Sequence, residues 1–288
     1  MKKSILFLIP LFPFFVMCQN SNKKGEPVSV VPSDTIPMQY NPEYNDLNIP
    51  ILDAIVNDSL HVKVFFDTGA AINRFSILDS FKNFFVSDSA FVQIGKFKKQ
   101  MRINYFSDDK RNFTELRALG KNSILVGWTF FENQIIEFDF QNQRILVYEE
   151  LPSVTDYSKI KIELSQGSKL TIPAQVVIQG KTIESNFNID TGLNEYVVVS
   201  SKHIEEQKID TTNAHYNITT VSGGLRPFFS IPADTIKIGD LFTANRNIRI
   251  SFHDHASDVG LLGTKTMENF SVILDLINYD LYLKKIDN

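Results

Sequence analysis

The chain contains 288 residues, of which 43% are hydrophobic and 22% are charged, and its formal net charge is −4 at pH 7. This composition is typical of a globular protein, and without a basic stripe it argues against nucleic acid as a partner. The 24 Phe residues, together with Ile and Val, favour strands over helices.

Residues 1–18 have the pattern of an export signal. Two lysines precede the apolar run Ile5–Met17, which is too short to span a bilayer comfortably. Cys18 follows directly and is the only cysteine, so no intramolecular disulfide can form. The arrangement resembles a bacterial lipoprotein signal, although Met17 stands where a small residue is preferred; the alternative is an ordinary signal peptide with an incidental cysteine. We expect export to the bacterial cell envelope, with a lipid on Cys18 holding the protein to a membrane and the domain in the periplasm or outside.

Residues 19–45 are polar and contain several prolines. Such a segment cannot bury enough apolar surface to offset the entropy of ordering. We therefore predict a flexible linker here. The rest is predicted to form an N-terminal lobe at residues 46–150 and a C-terminal lobe at residues 158–288, separated by a polar segment that contains Pro152.

Each predicted lobe opens with a β-hairpin, continues with a turn of helix and closes with a strand pair. In the N-terminal lobe these elements are Leu47–Val56 and Leu60–Phe66, Ser76–Phe81, and Gln134–Phe140 with Arg144–Tyr148. In the C-terminal lobe they are Leu170–Ile178 and Thr182–Ile189, Ser200–Gln207, and Phe270–Leu276 with Asp280–Lys284. Asn142 and Asn278 lie at the closing turns, where Asn tolerates a left-handed backbone.

The tripeptide Asp-Thr-Gly ends both predicted hairpins, at residues 67–69 and 190–192. An Ile-Pro pair precedes each copy, with its proline 17 residues before the aspartate. An apolar block ending in glycine follows each copy, at Ile124–Gly127 and Gly260–Gly263. The second copy holds 13 more residues between its two motifs (73 against 60), and we expect them within residues 222–250. A doubled unit with one carboxylate per copy predicts a single active site assembled across a pseudo-twofold axis.

This pattern resembles the aspartic peptidases of the pepsin and retropepsin group, over nearly all of Asn45–Ile286. The resemblance implies an all-β, bilobal fold of two pseudo-twofold-related lobes with short helices. It also implies that Asp67 and Asp190 are catalytic and that the threonines lock the two loops together. The implied supporting residues are Thr68, Gly69, Ala70, Gly127, Thr191, Gly192 and Gly263.

The chemistry of such a pair follows from its charges. Two carboxylates within hydrogen-bonding distance cannot both ionise cheaply, so they share one proton, as they do in aspartic proteases. The ionised carboxylate can take a proton from water while the neutral one donates a proton to a peptide carbonyl. We therefore predict a monomeric aspartic endopeptidase that cleaves a peptide or protein substrate and needs no cofactor or metal.

Family members close a hairpin over the substrate, and two segments are candidates for this flap. They are Gln100–Asn112, with Tyr105 as the expected aromatic residue, and Thr220–Phe229, with Gly223 and Gly224 at a mobile tip. The short segment His253–His255 is predicted to be an exposed loop rather than a metal site.

Three residues depart from the family pattern near the motifs: Asn73, Leu193 and Glu195. They leave open a catalytically weak or inactive lipoprotein that binds an extended peptide in the same cleft. A purely structural lipoprotein, motivated by the long tether behind Cys18, is a further alternative.

Trp128 is predicted to be a packed core residue.

Overall fold

A computed structural model of the chain describes residues 30–39, 49–70, 74–106, 122–165, 167–221, 224–251 and 259–286. Strands dominate these ranges and the helices are short, which confirms the prediction of an all-β fold. The predicted signal peptide with Cys18, residues 19–29 and 40–45 of the predicted linker, and His253–His255 lie outside the described residues. Among the ranges given, no helix has the length and apolar character needed to cross a membrane.

Within the described residues, the first half of the chain contributes nine strands and two 3₁₀ helices. The strands are β1 (Asp34–Pro37), β2 (Ile51–Val56), β3 (Leu60–Asp67), β4 (Arg74–Leu78), β5 (Ser89–Ile94), β6 (Phe97–Phe106), β7 (Ser123–Gly127), β8 (Ile135–Asp139) and β9 (Arg144–Tyr148). The 3₁₀ helices span Asp79–Phe84 and Trp128–Phe131.

The described part of the second half contributes eleven strands and two short α-helices. The strands are β10 (Ser158–Lys161), β11 (Glu163–Ser165), β12 (Lys169–Ile178), β13 (Lys181–Asp190), β14 (Val197–Ser200), β15 (His215–Val221), β16 (Gly224–Ile238), β17 (Leu241–Ser251), β18 (Gly260–Gly263), β19 (Phe270–Asp275) and β20 (Asp280–Lys285). The helices are α1 (Ser201–Glu206) and α2 (Thr264–Met267).

The two halves build the same ring of six strands. In the first half the strands form a closed barrel in the order β2-β3-β7-β4-β6-β5. In the second half the corresponding order is β12-β13-β18-β14-β17-β16, and a pairing of β12 with β16 closes the ring. Alternate residues of each strand point into the ring, so that Val64, Phe66, Phe187 and Ile189 are buried in one continuous core.

A six-stranded sheet joins the lobes in the order β1-β9-β8-β19-β20-β10. Its central pair is antiparallel, with Phe138 of β8 opposite Val272 of β19. The segment between the lobes covers one face of this sheet, where Leu151, Val154 and Tyr157 pack against a small apolar cluster. Both lobes are therefore anchored to a shared platform.

Strand β1 corrects the predicted linker. It pairs with β9, and Ile36 and Met38 are buried in the core, so residues 34–39 belong to the folded domain. Strand β10 occupies the same place at the other edge of the sheet, against β20. The duplicated unit thus begins at β1, before the lobe boundary expected at residue 46, because alternating burial of only two side chains gives a weak signal in a proline-containing segment.

The Ile-Pro match does not mark equivalent positions. The Pro50 carbonyl accepts a hydrogen bond from the Phe66 backbone N–H, one residue before Asp67. Pro173 instead lies opposite Asn186, four residues before Asp190. The equal spacing is therefore a coincidence, because the two hairpins differ in length. The evidence for duplication rests instead on the Asp-Thr-Gly motifs and the apolar blocks that end in glycine.

The remaining differences from the predicted elements are local. Ser76 lies in β4 opposite Leu125, so the predicted helical turn begins later, at Asp79. The left-handed residues of the closing turns are Gln143 and Tyr279 rather than the asparagines before them. Those asparagines instead donate side-chain hydrogen bonds to the aspartate three residues earlier, Asp139 in the first turn and Asp275 in the second.

The extra residues of the second half begin earlier than the predicted range of residues 222–250 and only partly overlap it. Glycines with positive φ mark equivalent turns, Gly95 between β5 and β6 and Gly239 between β16 and β17. Gly95 follows Asp67 by 28 residues, whereas Gly239 follows Asp190 by 49. The difference of 21 residues before the turn, less 8 after it (32 against 24 to the next motif glycine), gives the net 13. The additional chain forms the hairpin of β15 with the first part of β16.

Candidate active site

Each Asp-Thr-Gly motif is placed by the same three strands. Strand β3 ends at Asp67 and pairs in parallel with β7, which sets Gly127 opposite Asp67. Strand β13 ends at Asp190 and pairs in parallel with β18, which sets Gly263 opposite Asp190. Strands β4 and β14 then return antiparallel along the other edge of β7 and β18. Each aspartate is therefore held at a strand end beside the glycine of the parallel neighbouring strand.

Thr68 and Thr191 connect the two motifs through four reciprocal hydrogen bonds. The Thr68 N–H donates to Thr191 Oγ1 at 2.9 Å, and the Thr191 N–H donates to Thr68 Oγ1 at 3.0 Å. Each hydroxyl donates in turn across the axis, Thr68 to the Ile189 carbonyl and Thr191 to the Phe66 carbonyl, both at 2.8 Å. Both threonines are completely buried. The hydroxyl groups thus satisfy backbone groups that water cannot reach.

The motif glycines make room for the opposite carboxyl group. A Cβ atom at Gly69 would lie 2.5 Å from Cγ of Asp190, and one at Gly192 would lie 2.7 Å from Cγ of Asp67. Neither distance is compatible with a side chain. Glycine is therefore needed because each carboxyl group lies against the backbone of the other motif, a more specific reason than close backbone approach alone.

Asp67 and Asp190 face each other and share a side-chain hydrogen bond. Each also accepts a bond from a backbone N–H of its own loop: Gly69 to Asp67 Oδ1 at 2.8 Å and Gly192 to Asp190 Oδ1 at 3.0 Å. Both aspartates are partly exposed to solvent. The carboxyl pair is thus fixed from both loops and stays partly accessible.

The electrostatics of the pair favour one shared proton. Burial raises the pKa of Asp67, while the hydrogen bond from Asp190 and those from backbone N–H groups act in the opposite direction. Burial raises the pKa of Asp190 well above its ordinary value, and the charge of Asp67 raises it further. Lys169 supplies a charge that acts to lower it. Asp67 and Asp190 therefore titrate as a unit that retains one proton above the pH at which an ordinary aspartate ionises.

The loop after Asp190 is tied to the glycine block by contacts that sequence reasoning missed. The Leu193 carbonyl accepts from the Thr264 N–H at 2.9 Å and from its hydroxyl at 3.0 Å. The Thr266 hydroxyl donates to the Tyr196 carbonyl at 2.7 Å. A Cβ at Gly263 would lie 2.5 Å from the Leu193 oxygen, so glycine is required there. Thr264 and Thr266, which follow Leu262-Gly263 in the sequence, were the features from which these contacts could have been predicted.

The loop residues adjoining the motifs have simpler positions. The Ala70 N–H donates to the Asp67 carbonyl at 3.1 Å, and the Leu193 N–H does the same to Asp190 at 3.2 Å, so the two loops turn alike. Glu195 places its backbone carbonyl beside Gly263. Asn73 lies outside the described residues.

The structure gives different positions to the two segments that were predicted as candidates for the flap. Tyr105 lies in β6 opposite Ile77, with its ring 6.4 Å from that of Phe85, so it is part of the barrel wall and not a hairpin tip. The segment Thr220–Phe229 does form a hairpin, in which Gly224 pairs with Val221. Gly223, the other predicted tip residue, lies outside the described residues.

Trp128 and the potential metal ligands complete the predicted list. Trp128 is buried, and its indole N–H donates to the Ser168 carbonyl at 3.0 Å, which links the first glycine block to the second lobe. In the part of the chain that the structure describes, no three His, Cys, Asp or Glu residues are grouped so as to hold a metal ion.

Comparisons with known proteins give limited matches. No family model matches the chain, and neither does any curated protein. Among solved structures, the chain is similar to a retropepsin-like aspartic protease from Rickettsia conorii, with 21% sequence identity and a TM-score of 0.35. That similarity covers 44% of this chain and 90% of the other.

Proposed function

We propose that the protein is an aspartic endopeptidase that hydrolyses peptide bonds between its two lobes. One observation carries this proposal: Asp67 and Asp190 form a partly exposed, hydrogen-bonded carboxyl pair. Ionised Asp67 takes a proton from a water molecule, which attacks the peptide carbonyl carbon. Protonated Asp190 donates its proton to the carbonyl oxygen, so negative charge does not accumulate there. Protonated Asp67 then gives its proton to the amide nitrogen while Asp190 takes one from a diol hydroxyl, so the C–N bond breaks, a carboxylic acid and an amine form, and the pair regains its starting protonation.

Positioning supplies the rest of the rate enhancement. The reciprocal Thr68–Thr191 bonds hold both loops rigid, and backbone N–H groups orient one oxygen of each carboxylate. A water placed between two fixed carboxyl groups needs little reorganisation on the way to the transition state. No residue besides the aspartates is required to transfer a proton.

The test compares Asp67→Asn and Asp190→Asn with the wild type. Purified proteins lacking residues 1–18 are incubated with a diverse peptide library from acidic to neutral pH, and cleavage is followed by mass spectrometry. Each variant should lose activity by about a thousandfold or more, because the residues act as one unit. The exposed Asp53, whose side chain contacts Lys63 and Gln39 at the surface, provides the matched control Asp53→Asn, which should keep full activity. Equal cleavage by the wild type and either dyad variant would refute the proposal.

We also propose that the protein is exported and carries a lipid on Cys18, as the residue pattern of the N-terminus suggests. Expression with a labelled fatty acid should mark the wild type and leave Cys18→Ala unlabelled. Absence of label on the wild type would leave an ordinary signal peptide as the better explanation.

A further inference from the structure

The feature that carries a further inference is an unpartnered polar atom beside the carboxyl pair. Asn188 lies two residues before Asp190 on β13 and is 1% exposed. Its side-chain oxygen Oδ1 is buried and has no hydrogen-bond partner among the described residues. Buried polar atoms without a partner are rare in native proteins because each costs free energy. Such an atom next to a reactive site points to a ligand group that completes it.

Asn188 lies on the strand face that carries Asp190. Side chains alternate along a strand, so Asn188 and Asp190 share one face while Phe187 and Ile189 share the other. Phe187 and Ile189 pack into the hydrophobic core. The Asn188 carboxamide therefore points away from the core, toward the side on which the dyad lies.

Each lobe places a row of four paired residues across this face. The N-terminal row is Ile51, Phe65, Leu125 and Ser76, in order of strand pairing. The C-terminal row is Thr171, Asn188, Leu261 and Val198. Phe65 and Leu125 are buried, yet they belong to neither core cluster of the described chain. Leu261 is partly exposed, so the C-terminal row reaches the surface beside Asn188.

The two rows are equivalent in position but differ in chemistry. Phe65 precedes Asp67 by two residues, as Asn188 precedes Asp190. One row therefore offers an aromatic ring where the other offers a carboxamide. Because the rows flank the dyad on opposite sides of the pseudo-twofold axis, they adjoin the two residues on either side of a peptide bond held between Asp67 and Asp190.

We propose that the C-terminal row is a polar specificity site, in which Asn188 Oδ1 accepts a hydrogen bond from a neutral donor side chain of the substrate, Asn, Gln, Ser or Thr. This inference rests on the proposed peptidase activity and defines its substrate class. The residue on the other side of the cleaved bond packs against Phe65 and Leu125 and is apolar. A cationic side chain is disfavoured beside Asn188, because the ammonium of Lys169 already acts on Asp190 from this lobe.

The test uses matched peptides and one reversal of chemistry. Cleavage sites of the wild type are first mapped in a peptide library, where one side of the bond should hold mainly neutral donors and the other apolar residues. Peptide pairs that differ only as Gln against Leu at the donor position are then compared. We expect the wild type to prefer Gln by about tenfold to a hundredfold in kcat/KM, the range that one buried hydrogen bond supplies. Asn188→Leu should invert this preference.

Two variants separate specificity from folding. Asn186→Leu makes the same substitution at an exposed position of the same strand, and it should leave the preference unchanged. Asn188→Ser keeps a hydroxyl acceptor and should retain a weakened preference for Gln; it also decides the question if Asn188→Leu does not fold, as judged by circular dichroism.

The outcomes distinguish this inference from the proposed function. If the wild type cleaves peptides but treats Gln and Leu alike, or if Asn188→Leu leaves the preference unchanged, the polar site is overturned and the peptidase activity stands. If the wild type cleaves no peptide under any condition, the proposed function fails and the specificity site fails with it.

Discussion

Thr68 and Thr191 exchange hydrogen bonds so that each hydroxyl oxygen accepts from the backbone N–H of the other residue. Each hydroxyl also donates to a carbonyl of the opposite lobe. The relationship joins the lobes at the centre of the molecule, directly behind the two carboxyl groups, and several expectations follow from it and its neighbours.

Replacing Thr68 by Val should destabilise the protein by about 2–4 kcal/mol, because the Thr191 N–H and the Ile189 carbonyl would both remain buried without a partner. Thr68→Ser keeps the hydroxyl and should cost less than half of this. Urea unfolding measures both differences. A Val variant as stable as the Ser variant would show that these bonds contribute little.

Replacing Gly69 by Ala should abolish activity, because the added methyl group would lie 2.5 Å from Cγ of Asp190 and displace that carboxyl group. A displacement of about 1 Å at a reacting group costs on the order of a hundredfold in rate. The matched control is Gly180→Ala, where nothing lies near the added atom but φ is +71°. It should lose roughly 1–2 kcal/mol of stability and keep its activity, so an active Gly69→Ala enzyme would contradict the observed geometry.

Stability should fall as pH rises above 3.8, the ordinary pKa of an aspartate. Because the pKa of Asp190 is raised in the folded protein, the folded state binds more protons than the unfolded chain between 3.8 and the raised value. Below this window the carboxyl group is protonated in both the folded and the unfolded state, so it contributes no pH dependence to the stability. Within it the free energy of unfolding should decrease by about 1.4 kcal/mol per pH unit relative to Asp190→Asn. Urea titrations of both proteins across this range give the difference, and parallel curves would contradict the raised pKa.

The unpartnered oxygen of Asn188 should make the wild type less stable than an apolar variant. Asn188→Leu is expected to match or exceed the wild type by up to about 2 kcal/mol, since a buried polar atom without a partner is removed. Thermal unfolding without substrate measures this effect. A loss of more than about 1 kcal/mol would mean that the carboxamide is already satisfied in the free protein.

Strand β1 should contribute to the stability of the domain. Ile36 is 3% exposed, whereas Thr35 beside it points to solvent. Ile36→Ala should cost about 2–4 kcal/mol in unfolding free energy, and Thr35→Ala less than about 0.5 kcal/mol. Equal stability of the two variants would return residues 34–39 to the role of a linker.

Much of this architecture could be predicted where local chemistry and tertiary structure agree. The turn residues Asn57 and Gly180 and the period-two burial of the flanking strands located both hairpins. Doubled Asp-Thr-Gly motifs indicated a paired site, because each required residue type lies in the motif itself. The proximity of Asp67 and Asp190, by contrast, depends on the pairing of two loops far apart in sequence and needed the coordinates.

The misses have physical causes of a different kind. Strand β1 is stabilised by pairing with β9, which no local pattern reveals. The left-handed residue of the first closing turn is Gln143, one position after the predicted Asn142. Asn142 instead uses its side-chain amide to donate a hydrogen bond to Asp139. Nothing in the sequence distinguishes Asn188 from the other polar residues of β13, and only the structure shows that its oxygen is buried without a partner.

Because one chain carries both copies of the repeated unit, each wall of the cleft is encoded separately. In an assembly of two identical subunits, every substitution would change both walls, so the two sides of the site would remain identical. Here Phe65 and Asn188 occupy equivalent positions in the two copies, so a substitution at either one alters one side of the carboxyl pair and leaves the other side unchanged.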